Sequence, residues 1–257
     1  MGLSMATAEL WVERWERQQQ RYAVGREERF AVIADVVEHI TAEDSASPLV
    51  LDLGCGPGSL AARLSLRLPD AEIVGVDMDP LLLELARTHH GTAARYVETV
   101  IGGTGWIQAL GLDRPLDAAV STTALHYLAP DELSRTYEQL AALLRPGGVL
   151  INGDHLPPEN RSEVAGIADH IGRRWAERQH VFAHEDWDSW WASVDDEPEL
   201  ADLLAERHRR QPRDGTGAGT GPGLPLSAHV RLLRQAGFAH AGPVWQYGSS
   251  YVVVATR

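Results

Sequence analysis

The chain has 257 residues, 44% of them hydrophobic, which suffices for one sizeable α/β domain with an elaboration. Its formal charge of −13 is spread along the chain, which disfavours a nucleic-acid partner, and no apolar run approaches the roughly 18 residues of a membrane span. A single cysteine excludes a disulfide framework or a thiolate metal site, and all 23 basic residues are arginine, which excludes lysine bases and Schiff-base chemistry.

The opening MGLSMATAELWVERW lacks the basic-then-apolar order of a signal peptide, so the expected location is the cytoplasm. From Trp11 to His39, Trp11, Trp15, Tyr22, Phe30, Ile33 and Val37 recur at three- and four-residue steps and predict a helical region. Asp44 to Pro48 is a linker into an alternating series. The series reads strand 49–53, helix 58–68, strand 72–77, helix 79–89, strand 94–98, short helix 104–110, strand 116–121, helix 130–144 and strand 147–153. Alternation of this kind predicts an α/β fold, a Rossmann-like doubly wound sheet that is mostly parallel, with ligands beyond the carboxyl ends of the strands. From Leu156 to Pro225 the pattern breaks into helices near 159–178, 184–192 and 197–210, followed by a glycine-rich loop from Asp214 to Gly223. The expected organisation is a helical cap (1–45), a core (46–156 and 226–257) and a helical lid inserted at 157–225.

The most informative stretch is VLDLGCGPGSL, Val50 to Leu60. A buried strand meets three glycines at alternate positions, Gly54, Gly56 and Gly58, and then a helix, an order that cradles a nucleotide. Cys55 is a small residue suited to the tight turn, and Asp52 is placed to accept hydrogen bonds from a ligand ammonium. Nucleotide loops of several kinds share this pattern. Nineteen positions after Gly58, Asp77 ends the second strand, where an acid can hold both hydroxyls of a ribose. Ser121 and Asp154 end two further strands, so four strand tips carry acids or a hydroxyl.

Together, D-L-G-C-G-P-G, the Asp77 strand end, A-L-H-Y-L and R-P-G-G-V-L resemble the class I S-adenosylmethionine-dependent methyltransferases, of the bacterial small-molecule type. The resemblance covers Val50 to Asp154 and Leu226 to Arg257. It implies S-adenosylmethionine as cofactor, S-adenosylhomocysteine as product, and a role in secondary metabolism. The glycine loop would hold the methionine part, Asp77 the ribose, and Met78 would pack on adenine. LLRQAGF resembles the family's last helix, and PVWQY with SSYVVVATR its antiparallel C-terminal hairpin. Where the family places an acid for the adenine amino group this chain has Val100, with Glu98 two positions early. Adenine is then expected on the backbone of Val100 and Ile101, with Trp106 stacking nearby.

Methyl transfer from a sulfonium needs in-line positioning above all, with a base where the acceptor is a hydroxyl. His155, after Asp154, is the first candidate base and His126 the second. Trp187, Trp190 and Trp191 either wall an acceptor pocket or pack the lid, while Tyr22 and Arg26 cap the cofactor or steer an acidic group. Arg29 fits a solvated helix face better. His180 and His184 have the spacing of a metal pair but lack a third ligand, so no metal is expected. The expected acceptor is a small molecule, aromatic or cationic, offering an oxygen, nitrogen or carbon nucleophile, with no nucleic acid or membrane involved and a homodimer allowed. An NAD(P)-dependent oxidoreductase would also use the glycine loop and Asp77, but Asp52 and the absence of lysine oppose it. A non-catalytic binding module, and an enzyme attacking another carbon of the sulfonium, would keep the same motifs.

Overall fold

A computed structural model describes residues 2–42, 47–210 and 223–257. Two helices lead, α1 (Met5–Gln19) and α2 (Arg26–Thr41). There follow β1 (Leu49–Leu53), α3 (Ser59–Arg67), β2 (Glu72–Asp77), α4 (Pro80–His89), β3 (Arg95–Glu98), α5 (Trp106–Ala109), β4 (Leu116–Thr122), α6 (Pro130–Leu143) and β5 (Leu144–His155). Helices α7 (Glu163–Arg178), α8 (Trp187–Val194) and α9 (Ala201–Arg210) come next, then α10 (Leu226–Gln235), β6 (His240–Tyr247) and β7 (Ser250–Thr256). The sheet order is β3-β2-β1-β4-β5-β7-β6; β1 to β5 are parallel and β7 is antiparallel to both neighbours, the mostly parallel sheet with an antiparallel C-terminal hairpin that is expected.

The order reverses direction between β1 and β4, where a doubly wound sheet opens a crevice at its carboxyl edge. One face of the sheet buries Leu51, Leu53, Ala119 and Leu150 against Trp106, Tyr137, Leu140, Leu233 and Phe238 of α5, α6, α10 and the turn after it. The other buries Val50, Ala118, Val120 and Ile151 against Phe30, Ile33 and Val37 of α2 and Leu60, Ala61 and Leu64 of α3. Each large aliphatic side chain so buried stabilises the fold by about 1.5–3 kcal/mol. A third core joins α1 (Trp11, Val12, Trp15) to α4 (Leu81, Leu82, Leu85) and to Trp190, Val194 and Leu204 of α8 and α9.

Local chemistry fixes the helix starts. Pro80 opens α4 and the Asp79 carboxylate accepts from the Leu81 and Leu82 amides at 3.0 and 3.3 Å; Asp186 caps α8 by accepting from Ser189 N at 2.9 Å. The predicted helical region from Trp11 to His39 is broken into two helices at Gly25, which has φ of +65°. The hairpin strand β6 begins at His240, three residues before the predicted PVWQY, with a register shift around Pro243 at the sheet edge. Residues 44–46 of the predicted Asp44–Pro48 linker and 214–222 of the predicted Asp214–Gly223 loop lie outside the described residues. No helix among the described residues is long and apolar enough to cross a membrane.

Candidate active site

The carboxyl edge of β1 and β2 is built around the glycine loop. Gly54 N and Cys55 N donate to the Val76 carbonyl at 2.8 and 3.0 Å, which folds the loop over the β2 tip. Gly54 has φ of +70°, and a Cβ there would lie 2.3 Å from the Ala124 Cβ, so only glycine fits. The Asp77 carboxylate accepts from Gly56 N at 2.8 Å and from Asp79 N at 3.0 Å, and burial pushes its pKa up. Cys55 is buried, and burial with the nearby Asp77 and Asp52 carboxylates pushes its thiol well up, which keeps it an uncharged filler of the turn.

Asp52 is fully buried at the end of β1, and among the described residues neither carboxylate oxygen meets a hydrogen-bond donor at bonding geometry. Burial and, secondarily, the Asp77 charge push it up to about 7. An unpartnered buried carboxylate beside a glycine loop is suited to receive an ammonium group, because such groups in native proteins otherwise find partners. Ser121 is also fully buried, but its hydroxyl donates to the Leu53 carbonyl at 3.0 Å and braces β4 against β1.

Beyond β2 the edge is open and apolar, with Met78 and Val100 about half exposed and Ile101 packed against the core. Trp106 is elsewhere. Its ring is 1% exposed and its indole donates to Gln139 Oε1 at 2.8 Å, so the expected stacking on adenine is corrected to a core role under β1 and β4. Glu98 is held by Arg210 of α9.

The β4 and β5 tips separate the two candidate histidines. Asp154 is fully buried and its Oδ1 lies 2.9 Å from His126 Nδ1 while accepting from His155 N at 2.8 Å. With Nδ1–H donating to Asp154, the Nε2 of His126 is the acceptor nitrogen of a partly exposed ring. Successive strand residues face opposite sides, so His155 projects away from that pair, with its Nδ1 3.1 Å from Ser249 Oγ. Tyr127, which the sequence reading did not single out, stacks 4.3 Å from His126. Its phenol is pushed up by burial and then by the Asp154, Tyr22 and Asp77 charges, although the ring is half exposed. Thr123, also unforeseen, has φ of +51° between β4 and His126, a strained conformation for a β-branched residue.

Arg29 is corrected outright. It is not solvated but fully buried, donating to the Gly153 carbonyl at 3.2 Å, to Ser250 Oγ, and at 3.5 Å to Thr122 Oγ1. Arg26 is buried as well, paired with Glu16 and stacked 4.5 Å over Phe30. Tyr22 is half exposed, and its hydroxyl accepts from Trp187 N at 3.0 Å, tying the α1–α2 turn to α8. Trp190 is fully buried, edge-on to Trp11 and Trp15 at 5.4 and 5.1 Å, while Trp187 and Trp191 are half buried around it. Trp15 stands 5.3 Å from Trp187, and the glycine loop passes beneath it, a Cβ on Gly56 falling 3.7 Å from its ring. Arg207 of α9 lies 3.6 Å over Trp191 and pairs with Asp79 at 2.5 Å, which fastens α9 onto α4. A groove of about 650 Å³ along α10, lined by Leu226, Val230, Arg231 and Arg234, contains none of the strand-tip residues.

With that geometry in place, residues 50–148 match the methyltransferase domain family. This region is a class I S-adenosylmethionine-dependent methyltransferase domain. The methyltransferase domain has relatives of similar sequence. The chain is 33% identical over 129 residues to a trans-aconitate 2-methyltransferase of Methylobacterium radiotolerans, covering 50% of this chain and 45% of that one. It is 32% identical over 135 residues to an uncharacterized methyltransferase of Mycobacterium tuberculosis, covering 49% and 64%. The chain thus spans about half the length of the trans-aconitate methyltransferases it matches. Among solved structures, an O-methyltransferase family protein from Burkholderia thailandensis superposes with a TM-score of 0.56 at 18% identity, covering 98% of this chain and 71% of that one. An amino pentose methyltransferase from Micromonospora echinaspora, solved with S-adenosylmethionine bound, gives 0.55 at 19% identity, covering 89% and 91%. These two likenesses show the fold alone, over nearly the whole chain.

Proposed function

We propose that the chain transfers a methyl group from S-adenosylmethionine to a small organic acceptor through an O–H or N–H nucleophile, in the setting of specialised metabolism. The loop Gly54–Gly58 would receive the methionine part, Asp52 its ammonium, and Asp77 the ribose hydroxyls. Met78 and the backbone at Val100 and Ile101 would bound the adenine. When bound, the sulfonium supplies a methyl group that is already activated. The protein's own contribution is to orient the acceptor, exclude water and take up a proton. Orientation alone accounts for about 7–11 kcal/mol of barrier lowering where reactants are held in line.

One observation carries the catalytic part. His126, oriented by the fully buried Asp154, stands at the carboxyl edge of the same sheet whose β1 and β2 tips carry the glycine loop and Asp77. Its Nε2 would accept the acceptor's proton, Asp154 would stabilise the imidazolium, and Tyr127, Tyr22 and Trp187 would wall the acceptor. A small acceptor is in keeping with the trans-aconitate 2-methyltransferases among the relatives, although their similarity covers the cofactor half. His155, paired with Ser249 on the far side of β5, is left a supporting place at the strand end.

The test has two steps. Calorimetry with S-adenosylhomocysteine should show binding in the micromolar range or tighter. A mass-spectrometric screen of small alcohols, phenols and amines should then yield a product 14 Da heavier than its acceptor. Failure to bind the homocysteine product overturns the assignment. Binding without any methylated product redirects it to a binding module or to attack at another sulfonium carbon.

A further inference from the structure

Beneath the His126–Asp154 pair, a cation is built into the sheet. Arg29 projects from α2 over the tip of β5 and is 0% exposed. Its passage requires Gly153, where a Cβ would lie 2.7 Å from Arg29 Cδ and 3.1 Å from Ile33 Cδ1. The guanidinium ends among Gly153 O, Ser250 Oγ and Thr122 Oγ1, so it touches β4, β5 and β7 within one residue of Asp154. Among the described residues its Nε has no partner, and neither does Asp154 Oδ2. A buried charge of this kind is stabilised only by an opposite charge nearby or by full hydrogen bonding. The favourable charge it feels is Asp154; burial is the dominant opposing influence, and Arg26 also repels it.

We propose that Arg29 is a positioning residue for the reaction: it fixes the β4–β5–β7 tip and supplies the counter-charge to Asp154, the residue that orients His126. The assignment rests on His126 and Asp154 being the proton-accepting pair. Removal of a neighbouring positive charge makes the pair hold its proton more tightly, whichever member carries it, so the proton is taken up at a higher pH. The other groups facing the pair come from every surrounding element. Tyr127 flanks His126, with Tyr22 and Asp77 beyond it, while Tyr137 of α6, His229 of α10 and His155 of β5 all feel the Asp154 charge. Among these groups, Arg29 is the permanent cation.

The test is an NMR pH titration of the full chain with 13Cε1-labelled histidine, in which the His126 signal is the one lost in His126→Gln. In Arg29→Met the His126 midpoint should rise by about one pH unit relative to the unsubstituted protein. Arg29→Lys, which keeps the charge, should leave it unchanged. Gly153→Ala, which pushes the guanidinium away without removing it, should move the midpoint the same way by less, and serves where Arg29→Met does not fold. A purely structural Arg29 would lower stability in all three variants without moving the midpoint, and that result overturns the proposal. Calorimetry with S-adenosylhomocysteine on the same samples separates the two readings. Absent binding with a shifted midpoint sinks methyl transfer and upholds the charge pairing.

Discussion

His126 Nδ1 and Asp154 Oδ1 lie 2.9 Å apart, although the two residues sit 28 positions apart on different strand tips. The contact fixes the tautomer and leaves Nε2 to act. His126→Gln should lower kcat for the identified acceptor by on the order of 10²–10⁴ while leaving affinity for S-adenosylhomocysteine unchanged. Asp154→Asn should follow in the same direction, since it presents the wrong partner to Nδ1. His155→Ala should change kcat little. A steady-state comparison of the three variants checks the ranking, and a larger loss in His155→Ala would reverse the assignment of the base.

The Asp52 carboxyl, pushed up to about 7 by burial, gives a second prediction. An ammonium beside it favours the ionised form, so binding of S-adenosylhomocysteine should release a proton below pH 7, and affinity should fall as the pH drops from 8 to 6. Calorimetry in buffers of different ionisation enthalpy measures that proton directly. In the ligand-free protein the sign is opposite. A carboxyl whose folded-state pKa is raised above its unfolded value lowers stability as pH rises through that interval, so Asp52→Asn should stabilise the free protein at pH 8 while weakening the ligand.

Gly54→Ala tests the loop. The added methyl would sit 2.3 Å from the Ala124 Cβ at a backbone φ of +70°. Strain of about 1–3 kcal/mol should appear as a lower Tm, together with loss of S-adenosylhomocysteine binding. Retention of affinity would mean that the loop does not touch the cofactor.

The fastening of α9 is testable separately. Arg207→Ala removes a mostly buried ion pair with Asp79 and the cover over Trp191. A destabilisation of about 3 kcal/mol is expected, with Asp79 left uncompensated. Hydrogen exchange should quicken in α8 and α9 before it does in β1 and β4.

The strand tips and the glycine loop were legible because they follow local rules: alternation, a glycine turn, an acid at a fixed interval. The mostly parallel character of the sheet followed from the same series, and the antiparallel hairpin from the family resemblance, while the strand order needed the fold. What escaped was set by distant partners. Arg29 on a helix with two glutamates reads as solvated, and only the glycine at 153 makes room for it inside. Trp190 could equally line a pocket or fill a core, Trp106 was expected near adenine, and both are fully buried. His126 and His155 both follow strand ends, and the face each side chain takes decides between them. Tyr127 carried a weak signal, its place in A-L-H-Y-L, but its place beside a His126 held by Asp154 needs the fold.

The tryptophan core has a consequence for how the chain is made. Trp11 and Trp15 rest on α4 and on Trp190, a residue synthesised long after them. On the ribosome the first helix is therefore without its last partners until most of the sheet has emerged, and it docks late. Shortening the chain before α8 should strand those indoles in water, giving a product that sticks to itself even though every strand from β1 to β5 is present.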